Sequence, residues 1–427
     1  MASVAFLADR FAAGVDAGEF RWWMARSGDR MQAMRIMIGC MALLCVGVAC
    51  AQTPKIAPSG DGTVRLLQEL SNAAGPPGDE EPVRALMVPM MKAASDSVRY
   101  DGMGSVIAQQ GTTGPRIMID AHMDELGGMV RRITPNGLLT MQMLGGWLDQ
   151  ALVDQRWTIL GSKGPVRGVT GIRDIHVVPA EERTRVYPRN VLTIDIGAMT
   201  AEQAAAMGIE PGDPVVPDSP FEVLNGSENY LGKAWDDRVG CAVLVEAMRR
   251  TAKSGHPNQL FFVATTQEEI GLRGAKTASD VVKPDVGIAI EGGITGDVYG
   301  GHPEETQEKL GAGPGLFLYD SSTLPNRKLV ALVKKTAAAN HIPLQLDLVQ
   351  GYGDDSAAMQ ASNGGTPTVN LVVPVRYTHA HNGIMNRGDF DHMVDLVVDL
   401  LNGLDAKTVE AIRDFAPTAS ATGGTAE

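Results

Sequence analysis

Three apolar stretches rich in β-branched residues have the pattern of buried strands, and each is followed closely by a residue that can bind a metal. The stretches are 116–119, 261–265 and 286–290, and the residues that follow them are His122, the pair Glu268 and Glu269, and Glu291. Ligands of open α/β sheets bind where strands end. Because an uncompensated buried carboxylate is costly, the pattern predicts a neutralising partner. We favour a metal ion over basic side chains, protonation, or a solvated loop acid followed by a helix-capping glutamate.

The other hydrophobic positions predict helices that alternate with strands. Apolar residues recur at helical spacing in 64–70, 83–91, 232–250, 275–281, 326–340 and 389–404, and another helix opens at 351–356. Further strands are predicted at 105–108, paired with 116–119, and at 344–349 and 368–373. This alternation indicates an α/β fold.

The segment from Gly127 to about Ser219 has a different pattern. Short alternating stretches such as 128–133 and 138–142 are separated by glycine and proline turns, with one short helix near 201–207. The pattern predicts a small β-rich domain at 128–219. We expect it to be inserted into a larger catalytic domain formed by residues 55–127 and 220–416.

The N-terminal region has the pattern of a targeting segment. An apolar run at 36–48 follows Arg30 and Arg35 and precedes the small residues 49–51. This is typical of a secretory signal peptide, and the run is too short to span a membrane comfortably. We therefore expect residues 1–51 to be an extension with a signal peptide and the protein to be periplasmic or secreted, or cytoplasmic if the signal is not functional. Met34 is an alternative start, Cys50 an alternative lipid acceptor, and the tail 417–427 is expected to be disordered.

Charge and cysteine content narrow the function further. The chain has 37 basic and 50 acidic residues, a net charge of −13, and no basic block, which argues against a nucleic-acid partner. Of four cysteines, only Cys241 lies beyond the predicted signal segment, so no intrachain disulfide is expected. Its apolar helical context favours a buried structural thiol over a nucleophile.

Two pairs of residues carry candidate chemistry. His122 lies two residues before Asp124, so both side chains point to the same side of an extended chain, where a carboxylate can orient a metal-bound imidazole. Asp236 and Asp237 open a predicted helix. Acids there are often partners of the helix dipole, but one carboxylate also has two oxygens able to face two cations.

Later in the chain, the pattern favours a structural role for one acidic residue and leaves the choice between two histidines open. We expect Asp355 to cap a helix rather than contact substrate. His379 and His381 both follow the last predicted strand, and spacing alone does not choose between them.

Five motifs together resemble the M42 metallo-aminopeptidases, the group of glutamyl and tetrahedral aminopeptidases. They follow the family's order and are His122-Met123-Asp124-Glu125, Asp236-Asp237-Arg238, Glu268-Glu269 before Ile270-Gly271, Gly353-Asp354-Asp355 and Arg376-Tyr377-Thr378-His379. The likeness extends from about Leu66 to Leu404. It implies a mixed-sheet, three-layer α/β peptidase domain with an inserted PDZ-like β domain. It also implies two divalent metal ions, zinc or cobalt, and a homo-oligomer that in this family is often a dodecamer.

The resemblance also assigns roles to residues. It implies that His122, Asp236 and Glu291 hold one metal, and that Asp236, Glu269 and His379 hold the other. Glu268 is then the general base, and Asp124 orients His122. The choice of His379 over His381 rests on the family's Arg-Tyr-x-His motif.

This sequence departs from the family pattern at three places. Glu291 stands where many members have aspartate, and Ala380 replaces a serine. The family's Gly-Gly-Thr-Asp element reads Tyr352-Gly353-Asp354-Asp355 here. The longer side chain of Glu291 should still reach the metal but predicts a changed metal preference or geometry, and the other two departures predict a different lining of the pocket.

The leading hypothesis is a two-metal aminopeptidase that removes the N-terminal residue of short peptides. Two ions can activate a water and stabilise the oxyanion, and Glu268 can transfer the proton. Because neighbouring strand residues point in opposite directions, the backbone must bend for Glu268 and Glu269 to reach one site. The alternatives are a di-metal carboxypeptidase or deacylase, a glycoside hydrolase that uses the glutamate pair, and a binding module whose site has drifted.

Overall fold

A computed structural model describes residues 60–416 of the chain. The predicted signal peptide, the alternative start Met34 and the C-terminal tail lie outside these residues. Between residues 60 and 416, no helix combines the length and the apolar character needed to span a bilayer.

The elements follow the α/β alternation expected from the sequence. The helices are α1 Gly62–Asn72, α2 Glu81–Ala93, α3 Ala201–Ala206, α4 Trp235–Ser254, α5 Arg273–Val282, α6 Arg327–Ala339, α7 Asp355–Gln360, α8 Arg387–Gly403 and α9 Ala406–Arg413. The strands are β1 Ser97–Tyr100, β2 Val106–Gln110, β3 Arg116–His122, β4 Gly127–Ile133, β5 Leu139–Leu144, β6 Arg156–Gly161, β7 Gly164–Thr170, β8 Thr193–Asp195, β9 Pro214–Pro217, β10 Glu222–Val223, β11 Asn229–Gly232, β12 Gln259–Thr265, β13 Val286–Ile294, β14 Gly315–Tyr319, β15 Gln345–Leu348, β16 Thr368–Arg376 and β17 Gly383–Asn386. Each predicted helix overlaps one of these, and α9 is the helix that the periodicity missed.

Within the described residues, eleven strands form one mixed sheet. Its central order is β1-β2-β12-β3-β13-β16-β17-β11-β10, and β14 joins β16 and pairs with β15. The four central strands β12, β3, β13 and β16 are parallel. Their carboxyl ends therefore meet at one edge of the sheet.

The predicted direct pairing of 105–108 with 116–119 is wrong. Strand β12 lies between them, antiparallel to β2 and parallel to β3. The connection from β2 to β3 passes close to the start of β12, where a Cβ on Gly114 would lie 2.3 Å from the carbonyl oxygen of Pro257. A glycine at this point allows the close passage, so that a distant strand can occupy the place beside β2.

Helices cover both faces of the sheet, which gives three layers. On β12, Leu260, Phe262 and Ala264 belong to a core shared with α4 and α8. The alternate residues Phe261 and Val263 pack in a second core with α5 and α7. This strand is thus buried on both faces, as expected for a continuous apolar run.

The β-rich insert forms a closed barrel. Its strand order is β4-β5-β8-β7-β6-β9, and its core includes Leu139, Trp157, Ile159, Ile194 and Val215. The barrel is connected to the main sheet through β3 on one side and β10 on the other.

Candidate metal centre

The parallel strands bring distant residues to one edge of the sheet. Strands β12 and β13 flank β3, and Thr265 at the end of β12 is in register with His122 at the end of β3. Glu291 lies within β13, and Glu268 and Glu269 follow β12 after a short turn. All four side chains are at least nine-tenths buried.

The backbone bends after β12, as the adjacent glutamates require. Gln267 has a φ of 55°. The amide nitrogens of Glu268 and Glu269 then donate to the two carboxylate oxygens of Asp124, at 3.0 and 3.1 Å. Asp124 therefore fixes the turn that carries both glutamates.

Asp236 occupies the centre of the cluster. Its Oδ1 lies 3.1 Å from Nε2 of His122, and its Oδ2 lies 3.1 Å from Nε2 of His379. The residue stands at the start of α4 with non-helical backbone angles, after Ala234 with a φ of 57°. One carboxylate thus faces two imidazoles that are far apart in sequence.

Both imidazoles are oriented by backbone carbonyls. Nδ1 of His122 donates to the carbonyl oxygen of Asp124 at 3.0 Å, and Nδ1 of His379 donates to that of Gly146 at 2.8 Å. With the proton on Nδ1 fixed in this way, each Nε2 can offer a lone pair toward the acids once it is deprotonated. The expected contact of His122 with the Asp124 carboxylate is not a hydrogen bond, since the atoms lie 3.7 Å apart. The carboxylate oxygens of Asp124 instead accept from the amides of Glu268 and Glu269.

The remaining acids surround the same two nitrogens. Glu291 Oε2 lies 3.4 Å and Glu268 Oε2 3.7 Å from Nε2 of His122. Glu269 Oε2 lies 4.0 Å from Nε2 of His379. The structure therefore brings together every residue that the family resemblance assigned to the metals.

Burial and mutual repulsion shift the protonation of the cluster. Burial raises the pKa of Glu269 to about 8 and holds those of Glu268 and Glu291 well above their usual range. Burial alone would lower the pKa of His379, but the hydrogen bond to Asp236 and the charges of Glu269 and Asp236 raise it to about 9. Without another cation, the cluster therefore retains protons near neutral pH.

Sequence reasoning did not select Asp237, which also lies in the cluster. His122, Asp237 and Glu291 each place one ligand atom within 4.8 Å of the others. The Asp237 carboxylate accepts from the amides of His122 and Gly240 at 3.2 and 3.0 Å. It therefore joins the end of β3 to the first turn of α4, and its position beside Asp236 was the available signal.

The structure corrects the role expected for Asp355 and shows the surroundings of His381. Asp354, not Asp355, caps α7, because its side chain accepts from the amide of Ser356. The Asp355 carboxylate instead accepts from the Thr265 hydroxyl at 2.6 Å. His381 packs edge-on against Trp157 at 4.2 Å between ring centroids, and its ring nitrogens find no partner within residues 60–416.

Cys241 is a buried thiol, as predicted. Burial raises its pKa well above the usual range. It is therefore not a nucleophile at neutral pH.

The donor set fits a divalent metal. Oε1 of Glu269 and Oε1 of Glu291 are buried and have no hydrogen-bond partner within the described residues. His122, Asp236 and Glu269 place ligand atoms within 4.8 Å of one another. Imidazole nitrogen and carboxylate oxygen are ligands of zinc and related ions, and such a charge would compensate the buried acids.

Comparison with known proteins identifies the family. The profile described as M42 glutamyl aminopeptidase matches residues 104–396. The chain belongs to the M42 family. It is therefore a metal-dependent hydrolase of peptide bonds that acts on amino termini.

The matches to individual relatives extend over almost the whole length of each relative. FrvX of Escherichia coli strain K12 is 35% identical over 354 residues, 82% of this chain and 98% of FrvX. The TET aminopeptidase of Thaumarchaeota archaeon SCGC AB-539-E09 is 40% identical, with a TM-score of 0.80 over 82% of this chain and 98% of that one. The TET1 peptidase of Pyrococcus horikoshii, which can assemble into a tetrahedron or a large octahedral shell, is 30% identical with a TM-score of 0.73, over 80% of this chain and 100% of that one.

Proposed function

We propose that this M42 protein removes the N-terminal residue of short peptides with two divalent ions, zinc or cobalt. His122, Asp236 and Glu291 would hold one ion, and Asp236, Glu269 and His379 would hold the other. The observation that carries this proposal is that the two oxygens of Asp236 each lie 3.1 Å from a different imidazole. When bound, such ions act as Lewis acids and increase the acidity of water.

The protein residues then divide the remaining work. Glu268 takes a proton from the attacking water and returns it to the leaving amine. Its burial supports this role, because a raised pKa brings a carboxyl group closer to the working pH. Asp124 keeps Glu268 in place through the amide of the same residue.

Replacing Glu268 by glutamine tests the assignment. The amide has nearly the same shape but cannot accept the proton, so we expect turnover to fall by about 10²-fold or more. The metal content of the purified variant should equal that of the wild type. The matched control is Glu269→Gln, for which metal content should fall together with activity. Retained activity in Glu268→Gln would remove the proposed base.

We further propose that the chain divides into a catalytic domain, 55–127 and 220–416, and a PDZ-like insert, 128–219, and that it forms a homo-oligomer. The assembly of the Pyrococcus horikoshii peptidase supports oligomer formation here. Sedimentation analysis of the purified protein tests it, and a monomer at micromolar concentration would contradict it. We also propose export directed by residues 1–51, which N-terminal sequencing of the secreted or periplasmic fraction tests.

A further inference from the structure

A cavity of about 630 Å³ opens beside the metal-ligand cluster. Part of its lining consists of the acids and His379 already assigned to the metals, together with the proposed base Glu268. The rest is mainly apolar and includes Leu148, Leu272, Ile294, Val298, Tyr352 and Val375. The volume is in the range of sites that hold small ligands, so an amino-acid side chain fits beside the cluster.

This lining offers no free cation to a substrate. Among residues 60–416, no lysine or arginine lines the cavity. Arg376 stands between two lining residues in sequence, but its guanidinium already donates to both oxygens of Asp297, at 3.3 and 2.5 Å. His379 is also engaged, through Nδ1 with Gly146 and through Nε2 with Asp236.

Tyr352 contributes a fixed aromatic surface to this lining. Its hydroxyl donates to the carbonyl oxygen of Gly292 at 3.1 Å. Its ring meets Phe317 edge-on, with centroids 5.2 Å apart. Because the hydroxyl is already paired, the exposed part of this side chain is mainly ring carbon.

We propose that this cavity binds the first side chain of the peptide and selects an uncharged apolar one, such as leucine or methionine. This inference rests on the proposed aminopeptidase function. A glutamyl side chain would lose the hydration of its carboxylate against apolar residues, with no lysine or arginine in the lining to pair with it. A lysyl side chain would lose the hydration of its ammonium against apolar residues, since the lining acids are assigned to the metals or, for Glu268, to proton transfer. Discrimination therefore comes from unpaired charge rather than from size.

Cleavage of four aminoacyl p-nitroanilides by the metal-loaded protein tests the proposal. We expect kcat/KM for the leucyl and methionyl substrates to exceed that for the glutamyl and lysyl substrates by about 10²-fold or more. Glutamyl or lysyl cleavage at the leucyl rate would overturn this inference and leave the aminopeptidase function intact. If none of the four is cleaved, the proposed function fails and this inference fails with it.

A cation placed in the lining provides the second test. Val298 is half-buried in this lining, and Val298→Arg should raise the ratio of glutamyl to leucyl kcat/KM by about tenfold or more. Val298→Met is the matched control and should leave the ratio unchanged. If Val298→Arg does not fold, Leu148→Arg replaces it, because Leu148 lines the same cavity and is 61% exposed. An unchanged ratio in a folded arginine variant would overturn the proposal.

Discussion

Removing the metal should make the stability of the protein fall as pH rises. In the metal-free cluster, the pKa of Glu269 is raised by burial from 4.5 to about 8, and that of His379 is raised from 6.5 to about 9 by Asp236 and Glu269 despite its burial. Both groups hold protons that the unfolded chain releases. A native state that binds more protons than the unfolded state loses stability with increasing pH.

The fall in stability is easiest to interpret between pH 6.5 and 8, because the groups with the opposite effect titrate outside this window. Burial lowers the pKa of His381 from 6.5 to about 3, which acts in the opposite sense only below pH 6.5. The pKa of Lys233, lowered to about 8 by burial, has the opposite effect only above pH 8. At about 1.4 kcal/mol per pKa unit, Glu269 alone lowers the free energy of unfolding by about 2 kcal/mol across this window. His379 adds a smaller decrease, because its side chain is 38% exposed.

Urea unfolding of chelator-treated protein, followed by tryptophan fluorescence at four pH values from 6.5 to 8, measures this slope. Protein concentration must be constant, since assembly also affects stability. In Glu269→Gln the fall in the free energy of unfolding between pH 6.5 and 8 should be smaller by about the same 2 kcal/mol. Added zinc or cobalt should stabilise the wild type more at pH 8 than at pH 6.5. A metal-free wild type whose stability is constant or increases over this range would refute the explanation.

Two further substitutions and one labelling experiment have definite expected outcomes. In Asp124→Asn one acceptor oxygen must serve two amides, so kcat at saturating metal should fall about 10- to 100-fold; an unchanged kcat would show that the glutamate turn holds its position unaided. A Cβ at Gly315 would lie 1.6 Å from Oε1 of the buried Glu308, so Gly315→Ala should cost about 1–3 kcal/mol of unfolding free energy. Gly102→Ala, with no atom within 4 Å of the new Cβ, is its control, and equal midpoints in urea would contradict the clash. The buried Cys241 should react with a thiol reagent such as DTNB only after denaturation, and fast labelling of the native protein would exclude the observed packing.

The position of the centre was predictable because it depends on a rule for strand ends. Runs that are apolar throughout predicted buried strands, and parallel strands bring their carboxyl ends to one edge. His122 and Glu291 therefore could be placed near each other from the sequence alone. The need for a backbone bend at the two adjacent glutamates followed in the same way from the geometry of a strand, and the structure has it at Gln267.

The contacts that were missed depend on packing between distant segments. The place of β12 between β2 and β3 requires a pairing across about 150 residues, which local pattern does not specify. His379 and His381 lie in the same loop, but His379 reaches Gly146 and Asp236, whereas His381 packs against Trp157. Likewise, the ammonium of Lys233 pairs with Glu125 at 2.5 Å, in a buried contact between residues 108 positions apart.

The hydrogen bond from His379 to Gly146 bears on how this protein can be engineered. Gly146 lies in the connection that follows barrel strand β5, whereas His379 follows the last parallel strand of the main sheet, and the contact is 2.8 Å long. A truncated enzyme without the barrel would lose the acceptor that orients this imidazole. Chimaeras made by exchanging barrels between relatives should therefore retain the 145–148 segment of the parent that supplies the histidine.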